Sequence, residues 1–165
     1  MTHLTAVEQL NSAQYLCLRE LSEPHDNSLK LVVEEAVVNP SGLVKPSEMP
    51  ELDAVLKDAS PIESVEGCKE FELYWKHYVA YLVTEELVGS NAKDGYDDEC
   101  FTGKLLRSYS KSHFLAHVAH DTGGHIEPIQ HYKLVCLNHL IDVAAYAPPE
   151  IRVLASGSNT QARRQ

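Results

Sequence analysis

The chain has no run of about 18 unbroken apolar residues, the length a membrane-spanning helix needs. Its start, MTHLTAVEQLNSAQ, also lacks the basic-then-apolar pattern of a secretory leader. A soluble protein that stays in the cytoplasm, with no membrane partner, is the expectation. Cysteine is scarce: Cys17, Cys68, Cys100 and Cys136 each stand more than 30 residues from the next, which leaves no CxxC knuckle and no closely spaced disulfide framework. A reducing compartment suits four such thiols, and Cys17 and Cys136, lying in apolar runs, read as small buried hydrophobes. Cations are outnumbered, 14 Lys plus Arg against 24 Asp plus Glu, for a net charge of −10. That balance opposes a phosphate-neutralising surface, so nucleic acid is not an expected partner. The GxGxxG and GxxxxGK[ST] phosphate loops, the GxSxG nucleophile elbow and the His-Glu-x-x-His zinc motif are all missing, and no cofactor is expected.

What the sequence does contain is 44% hydrophobic residues in 165, enough for one domain with an ordinary core. In FELYWKHYVAYLVTEE, residues 71 to 86, aromatic and β-branched residues alternate with a period of two. Phe71, Leu73, Trp75, His77, Val79, Tyr81 and Val83 fall on one side, which predicts a single long strand with that face on the core. A second strand is predicted in HYKLVCLNHLIDVAAY, residues 131 to 146, closed by Pro148 and Pro149. EIRVL after the prolines reads as a short edge strand.

AQYLCLREL and LKLVVEEAVV, joined by the turn-forming SEPHDNS, read as adjacent antiparallel strands, preceded by a short helix within the first eleven residues. SEMPELDAVLKDA, with Ser47 as N-cap and Leu52, Val55 and Leu56 at helical spacing, predicts another helix inside a long proline-containing connection. Residues 89 to 103 are turn-rich and acidic and read as a loop. The predicted fold class is α+β: an antiparallel sheet of about four to five strands with two or three helices packed on it. One domain covers 1–154, and 155–165 is expected to be a disordered C-terminal tail.

Four of the nine histidines crowd into HFLAHVAHDTGGH, residues 113 to 125. Ser110 or Ser112 can cap a helix running to about Asp121. At 100° per residue His113, His117 and His120 then share an arc of about 60°, opposite Phe114, Leu115 and Val118. His113 and His117 have the four-residue spacing at which two imidazoles can chelate one ion, with His125, His131 or Asp121 as the third ligand. A metal-assisted, histidine-dependent hydrolase is therefore one alternative. The simpler account is a solvated face near a helix C-terminus, where the helix dipole favours a protonated imidazole. His77 and His139, inside strand patterns, read as hydrogen-bonded core histidines, and PHDN at 24 to 27 as a turn.

The leading functional expectation is a non-catalytic, acidic cytosolic binding protein that occupies a basic protein partner, in the manner of an immunity protein or an antitoxin blocking a toxin. Asp94, Asp97, Asp98 and Glu99, with Glu85 and Glu86 at the strand end, are the expected partner-binding residues. The acidic run lacks the D-x-D-x-D-G ligand spacing of an EF-hand, so calcium is not expected there. Self-association into a homodimer through a tyrosine face, Tyr74 and Tyr78, is the third reading.

Overall fold

The computed structural model describes residues 4–42, 59–89, 98–123 and 128–154. Strands dominate. Helix α1 (Ala6–Ser12) opens the chain, with Thr5 as N-cap and Glu8 completing a capping box. Then come β1 (Tyr15–Ser22) and β2 (Leu29–Val38), β3 (Ile62–Glu63), β4 (Glu70–Trp75) and β5 (Tyr78–Glu85). The four-residue α2 (Glu86–Gly89) follows β5. Strands β6 (Cys100–Thr102) and β7 (Leu106–Lys111), helix α3 (His113–Asp121), and strands β8 (Gln130–Val135), β9 (His139–Ala145) and β10 (Glu150–Leu154) complete the described chain.

The α+β class stands, but the strands form two antiparallel sheets of five strands each rather than one sheet of four to five. The first runs β1-β2-β4-β10 with β3 on β2, and the second runs β5-β9-β8-β7-β6. Their facing residues make one core. Leu16, Leu31, Val33, Phe71, Leu73 and Trp75 of the first sheet meet Tyr132, Leu134, Ile141, Val143 and Ala145 of the second. The Trp75 and Tyr132 rings lie 6.2 Å apart across the middle. Each fully buried large side chain here contributes about 1.5–3 kcal/mol of apolar transfer free energy, so the alternation of β4 is what holds that strand in register.

Two sheets replace one because both predicted long strands are broken. Phe71, Leu73 and Trp75 are buried as the period of two requires. Lys76 and His77 are then exposed at a corner, and the chain passes into the other sheet. Trp75 still pairs with Leu29 of β2, while Tyr78 pairs with Ala145 of β9. Residues of the β1–β2 connection hold this corner. The Tyr78 amide donates to the Asn27 carbonyl at 2.9 Å, and Asn27 sits at φ 58°, the left-handed region asparagine tolerates. One oxygen of Glu23 accepts both the Tyr78 and Tyr81 hydroxyls, at 2.8 and 2.9 Å. That carboxylate pushes the Tyr78 phenol up to about 12, because the bound hydroxyl must give up its proton beside a negative charge. His77 is therefore not a core histidine: the corner turns it to solvent.

The second predicted strand breaks at Leu137 and Asn138 into the β8–β9 hairpin, with the Cys136 amide donating to the His139 carbonyl at 2.9 Å. The hairpin tip reaches the edge of the first sheet. The Leu137 amide donates to the Leu16 carbonyl at 2.8 Å, and the Asn138 side chain accepts from the Leu18 amide at 2.9 Å and donates to the Leu18 carbonyl at 3.1 Å. The β1 edge is thereby partly covered, which blunts its tendency to pair with another chain.

Segment 89 to 103 is not all loop, since Cys100–Thr102 is strand β6. Strand β7, for which the sequence carried no clear alternation, continues the sheet. Gly103 at the β6–β7 turn has φ 91°, and a Cβ there would collide with the Leu106 carbonyl. The Asn11 side-chain oxygen closes the same turn by accepting the amides of Lys104, Leu105 and Leu106 at 3.0, 2.8 and 3.0 Å. The predicted strand at 150–154 is β10, at the edge of the first sheet beside β4. The predicted helix at Ser47 and the predicted tail 155–165 lie outside the described residues. Among the described residues no helix is long and apolar enough to cross a membrane.

Candidate ligand cleft

The inner face of the second sheet feeds the core, so alternate residues of its strands must point to the other side. Register decides which of them meet. Arg107 of β7 stands opposite Lys133 of β8, Lys133 opposite Asp142 of β9, and Asp142 opposite Leu82 of β5. One rung along, Phe101 of β6, Tyr109 of β7 and His131 of β8 form a second row. Helix α3 packs over that second row and leaves the first open.

Ser112 caps α3 in an extended conformation, its oxygen accepting the Leu115 amide at 3.0 Å. The same oxygen lies 2.7 Å from His131 Nδ1, while His131 Nε2 lies 2.8 Å from Asp142 Oδ1. With Asp142 ionised, donor counting assigns the Nε2 proton to the Asp142 bond and makes Nδ1 the acceptor of the Ser112 hydroxyl. Tyr109 stacks on the imidazole at 4.2 Å and Phe114 of α3 meets it at 5.0 Å. The side chains of His131 and Asp142 are only 1% and 8% exposed. Lys133 Nζ gives Asp142 Oδ1 a cationic partner at 3.1 Å. A buried carboxylate persists where it is paired and hydrogen-bonded in this way.

In polarity the Ser112–His131–Asp142 chain resembles the hydrogen-bond relay of a serine hydrolase. The placement is different. His113, Phe114 and His131 line the adjoining cleft and Ser112 does not. Its hydroxyl is committed to the helix N-terminus and to His131, so the relay ties α3 to the sheet.

The cleft between α3 and the open row encloses about 720 Å³. Arg107, Lys133 and Asp142 form its floor, Phe101, Tyr109 and Phe114 supply aromatic walls, and Leu82 and Leu140 close the far side. The Arg107 guanidinium carbon lies 4.5 Å from the centre of the Phe101 ring, a cation–π contact, and its Nε donates to the Lys104 carbonyl at 3.2 Å. Ligand sites typically measure about 300–1,000 Å³, largely apolar with a few converging polar groups. This cleft has both properties.

Of the α3 histidines, His113 and His117 sit at the rim, 45% and 69% exposed, and His120 lies away from the cleft, 88% exposed. They meet carboxylates rather than one another. His113 Nε2 is 2.7 Å from Asp98, His117 Nε2 is 3.5 Å from Asp121, and His120 Nδ1 is 3.2 Å from Asp121. Of the third ligands considered for a metal, His131 has both nitrogens engaged in the buried relay, Asp121 is shared by His117 and His120, and His125 lies outside the described residues. No group of three metal-ligating side chains converges among the described residues. His139 is half-buried, and its Nδ1 finds no partner there.

The expected acidic surface is divided. Asp94 and Asp97 lie outside the described residues. Asp98 binds Lys111 Nζ at 2.5 Å as well as His113, and these two bonds, Lys111 first, hold its carboxyl down at about 2. Glu99 accepts the His113 amide at 2.8 Å and contributes to the cleft wall. Glu85, exposed, ends β5, and Glu86 opens α2. Tyr74 is half-buried and pairs across strands with Lys30 and Glu150, while Tyr78 is bound to Glu23.

Reading the sequence missed Arg107, Tyr109, Lys133 and Asp142 as a group. One signal was present: Asp142 is an ionisable residue inside the apolar run LIDVAA, and such a residue needs a buried partner. Alternation in HYKLV likewise puts His131 and Lys133 on one face, opposite Tyr132 and Leu134.

Compared with protein-family models, with curated proteins and with solved structures, the chain matches none.

Proposed function

We propose that this chain is a binding protein whose working surface is the cleft on the outer face of the second sheet, and that its ligand is a small molecule. One observation carries the reading: a half-open cleft of about 720 Å³ in which aromatic side chains lie beside a polar row. The His131–Asp142 pair holds that row and the covering helix in one geometry before any ligand arrives, which lowers the ordering cost of binding. A rigid scaffold with a built cavity is what small-ligand sites share.

An acidic surface that blocks a basic partner is a second proposal, and it draws on the net charge of −10 and on exposed Glu85. The cleft is preferred because Asp98 is already paired with Lys111 and hydrogen-bonded to His113 within the chain. The test is amide chemical-shift mapping of the full chain against a library of ring-containing fragments. Saturable shifts clustered on Arg107, Lys133 and Leu140 are expected. Leu140→Trp, which fills the cleft, should abolish them. Shifts that gather on another face, or that survive the filled cleft, would overturn the proposal.

A further inference from the structure

Two cations face each other across β7 and β8. Arg107 and Lys133 are direct cross-strand partners on the cleft floor, and like charges in that position repel. Lys133 has a counter-charge, since its Nζ lies 3.1 Å from Asp142. Arg107 has none among the described residues. Its Nε donates to the Lys104 carbonyl and its guanidinium carbon lies over the Phe101 ring, which leaves the terminal N–H groups without a carboxylate among the described residues. The chain as a whole carries −10, yet this cleft offers a guanidinium over an aromatic ring with no carboxylate partner among the described residues.

Resting on the cleft reading above, we infer that the ligand is a small organic oxyanion, a carboxylate or phosphate on a flat apolar body, with its charged head on Arg107 and Lys133. The chemistry of each part supports this. The Lys104 carbonyl bond and the cation–π contact with Phe101 hold the guanidinium in place, and its fork of N–H donors matches the two oxygens of a carboxylate or phosphate. Lys133 uses one of its three N–H donors on Asp142 and keeps the others for the same head group. Bringing an oxyanion in supplies the counter-charge that the cross-strand pair lacks. The aromatic walls, Tyr109 and Phe114 with Phe101, then accept a flat body by offset or edge contacts. A cationic ligand would meet the Arg107–Lys133 pair head-on. Of the two carboxylates that line the cleft, Asp142 is buried and already holds His131 and Lys133, and Glu99 at the wall already accepts the His113 amide.

The experiment titrates the full chain with phenyl phosphate, phenylacetate, benzyl alcohol, benzylamine and inorganic phosphate, following amide shifts of Arg107, Lys133 and Leu140. Phenyl phosphate and phenylacetate should bind more tightly than benzyl alcohol, and benzylamine most weakly; which anion is preferred tells phosphate from carboxylate. Arg107→Gln should weaken both anions by roughly tenfold or more, the scale of one charge-assisted hydrogen bond, and leave benzyl alcohol unchanged. Its melting temperature should equal or exceed that of the wild type, since a cross-strand repulsion is removed. Benzyl alcohol or benzylamine binding as well as the anions, or an Arg107→Gln variant with full anion affinity, overturns the oxyanion inference while leaving the cleft reading in place. Inorganic phosphate binding as tightly as phenyl phosphate overturns the apolar body. If no probe of any charge moves the cleft amides, both readings fall.

Discussion

Removing the Asp142 carboxylate tests the link on which the cleft depends. Asp142→Ala takes away the acceptor of His131 Nε2 at 2.8 Å and of Lys133 Nζ at 3.1 Å. The two donors are left in different situations. His131 is 1% exposed, so its N–H stays buried without a partner, at a cost of about 1–3 kcal/mol. Lys133 is 21% exposed and can turn its ammonium towards water, so its share is smaller. Together with the lost charge-assisted bonds, the variant should lose about 2–4 kcal/mol. For a domain whose whole stability is of the order of 5–15 kcal/mol, that is a large fraction. Urea unfolding measures it: with a slope of about 2 kcal/mol/M, the midpoint should fall by about 1–2 M at unchanged slope.

Asp142→Asn should be milder, because an amide oxygen can still accept the imidazole proton. The double variant His131→Phe, Asp142→Leu should recover most of the loss, since an apolar pair of similar size leaves no orphaned donor at Nε2. A midpoint for Asp142→Ala within about 0.5 kcal/mol of the wild type would refute the reasoning, as would an Asn variant as damaged as the Ala variant. Either result means that the buried pair does not hold α3 to the sheet.

Other outcomes follow from the same structure. Asn11→Ala should cost about 2–3 kcal/mol by thermal melting, because one side-chain oxygen serves three amides, while Asn11→Asp keeps the acceptor and should be tolerated. Asp98 has its carboxyl depressed from 3.8 to about 2, so its stabilising contribution is present above about pH 4 and is lost as pH falls through about 2. The stability difference between wild type and Asp98→Asn should shrink across that window, and a difference independent of pH there would contradict the pairing with Lys111 and His113. Thiol alkylation should mark exposed Cys100 first and Cys136 last, since burial pushes the Cys136 thiol up to about 12; urea should erase the order.

Much of the fold was legible in local pattern. The β1–β2 pair, α1, the Ser112-capped α3 and the β10 edge strand follow from alternation, capping residues and turn chemistry, all of which act over a few neighbouring residues. The outward direction of His113, His117 and His120 follows from 100° per residue alone. Where the reading went astray, the cause was a break without a glycine or proline to mark it. Trp75-Lys76-His77-Tyr78 and Cys136-Leu137-Asn138-His139 continue an apolar pattern in sequence, while in space one changes sheet and the other reverses direction. The contacts that enforce those breaks, Glu23 and Asn27 on Tyr78 and Asn138 on Leu18, come from residues about 50 and 120 positions away, beyond the reach of any periodicity.

From its residues alone this chain determined a strand-rich domain of α+β class, the α3 helix and its imidazole row, and a strongly acidic balance, because those depend on local stereochemistry and on counting charges. Only the tertiary structure decided the cleft. Arg107, the β8–β9 hairpin that carries Lys133 and Asp142, and Leu82 come from three separate parts of the chain, and it is hydrogen-bond register between those strands that sets them in one row beside a helix.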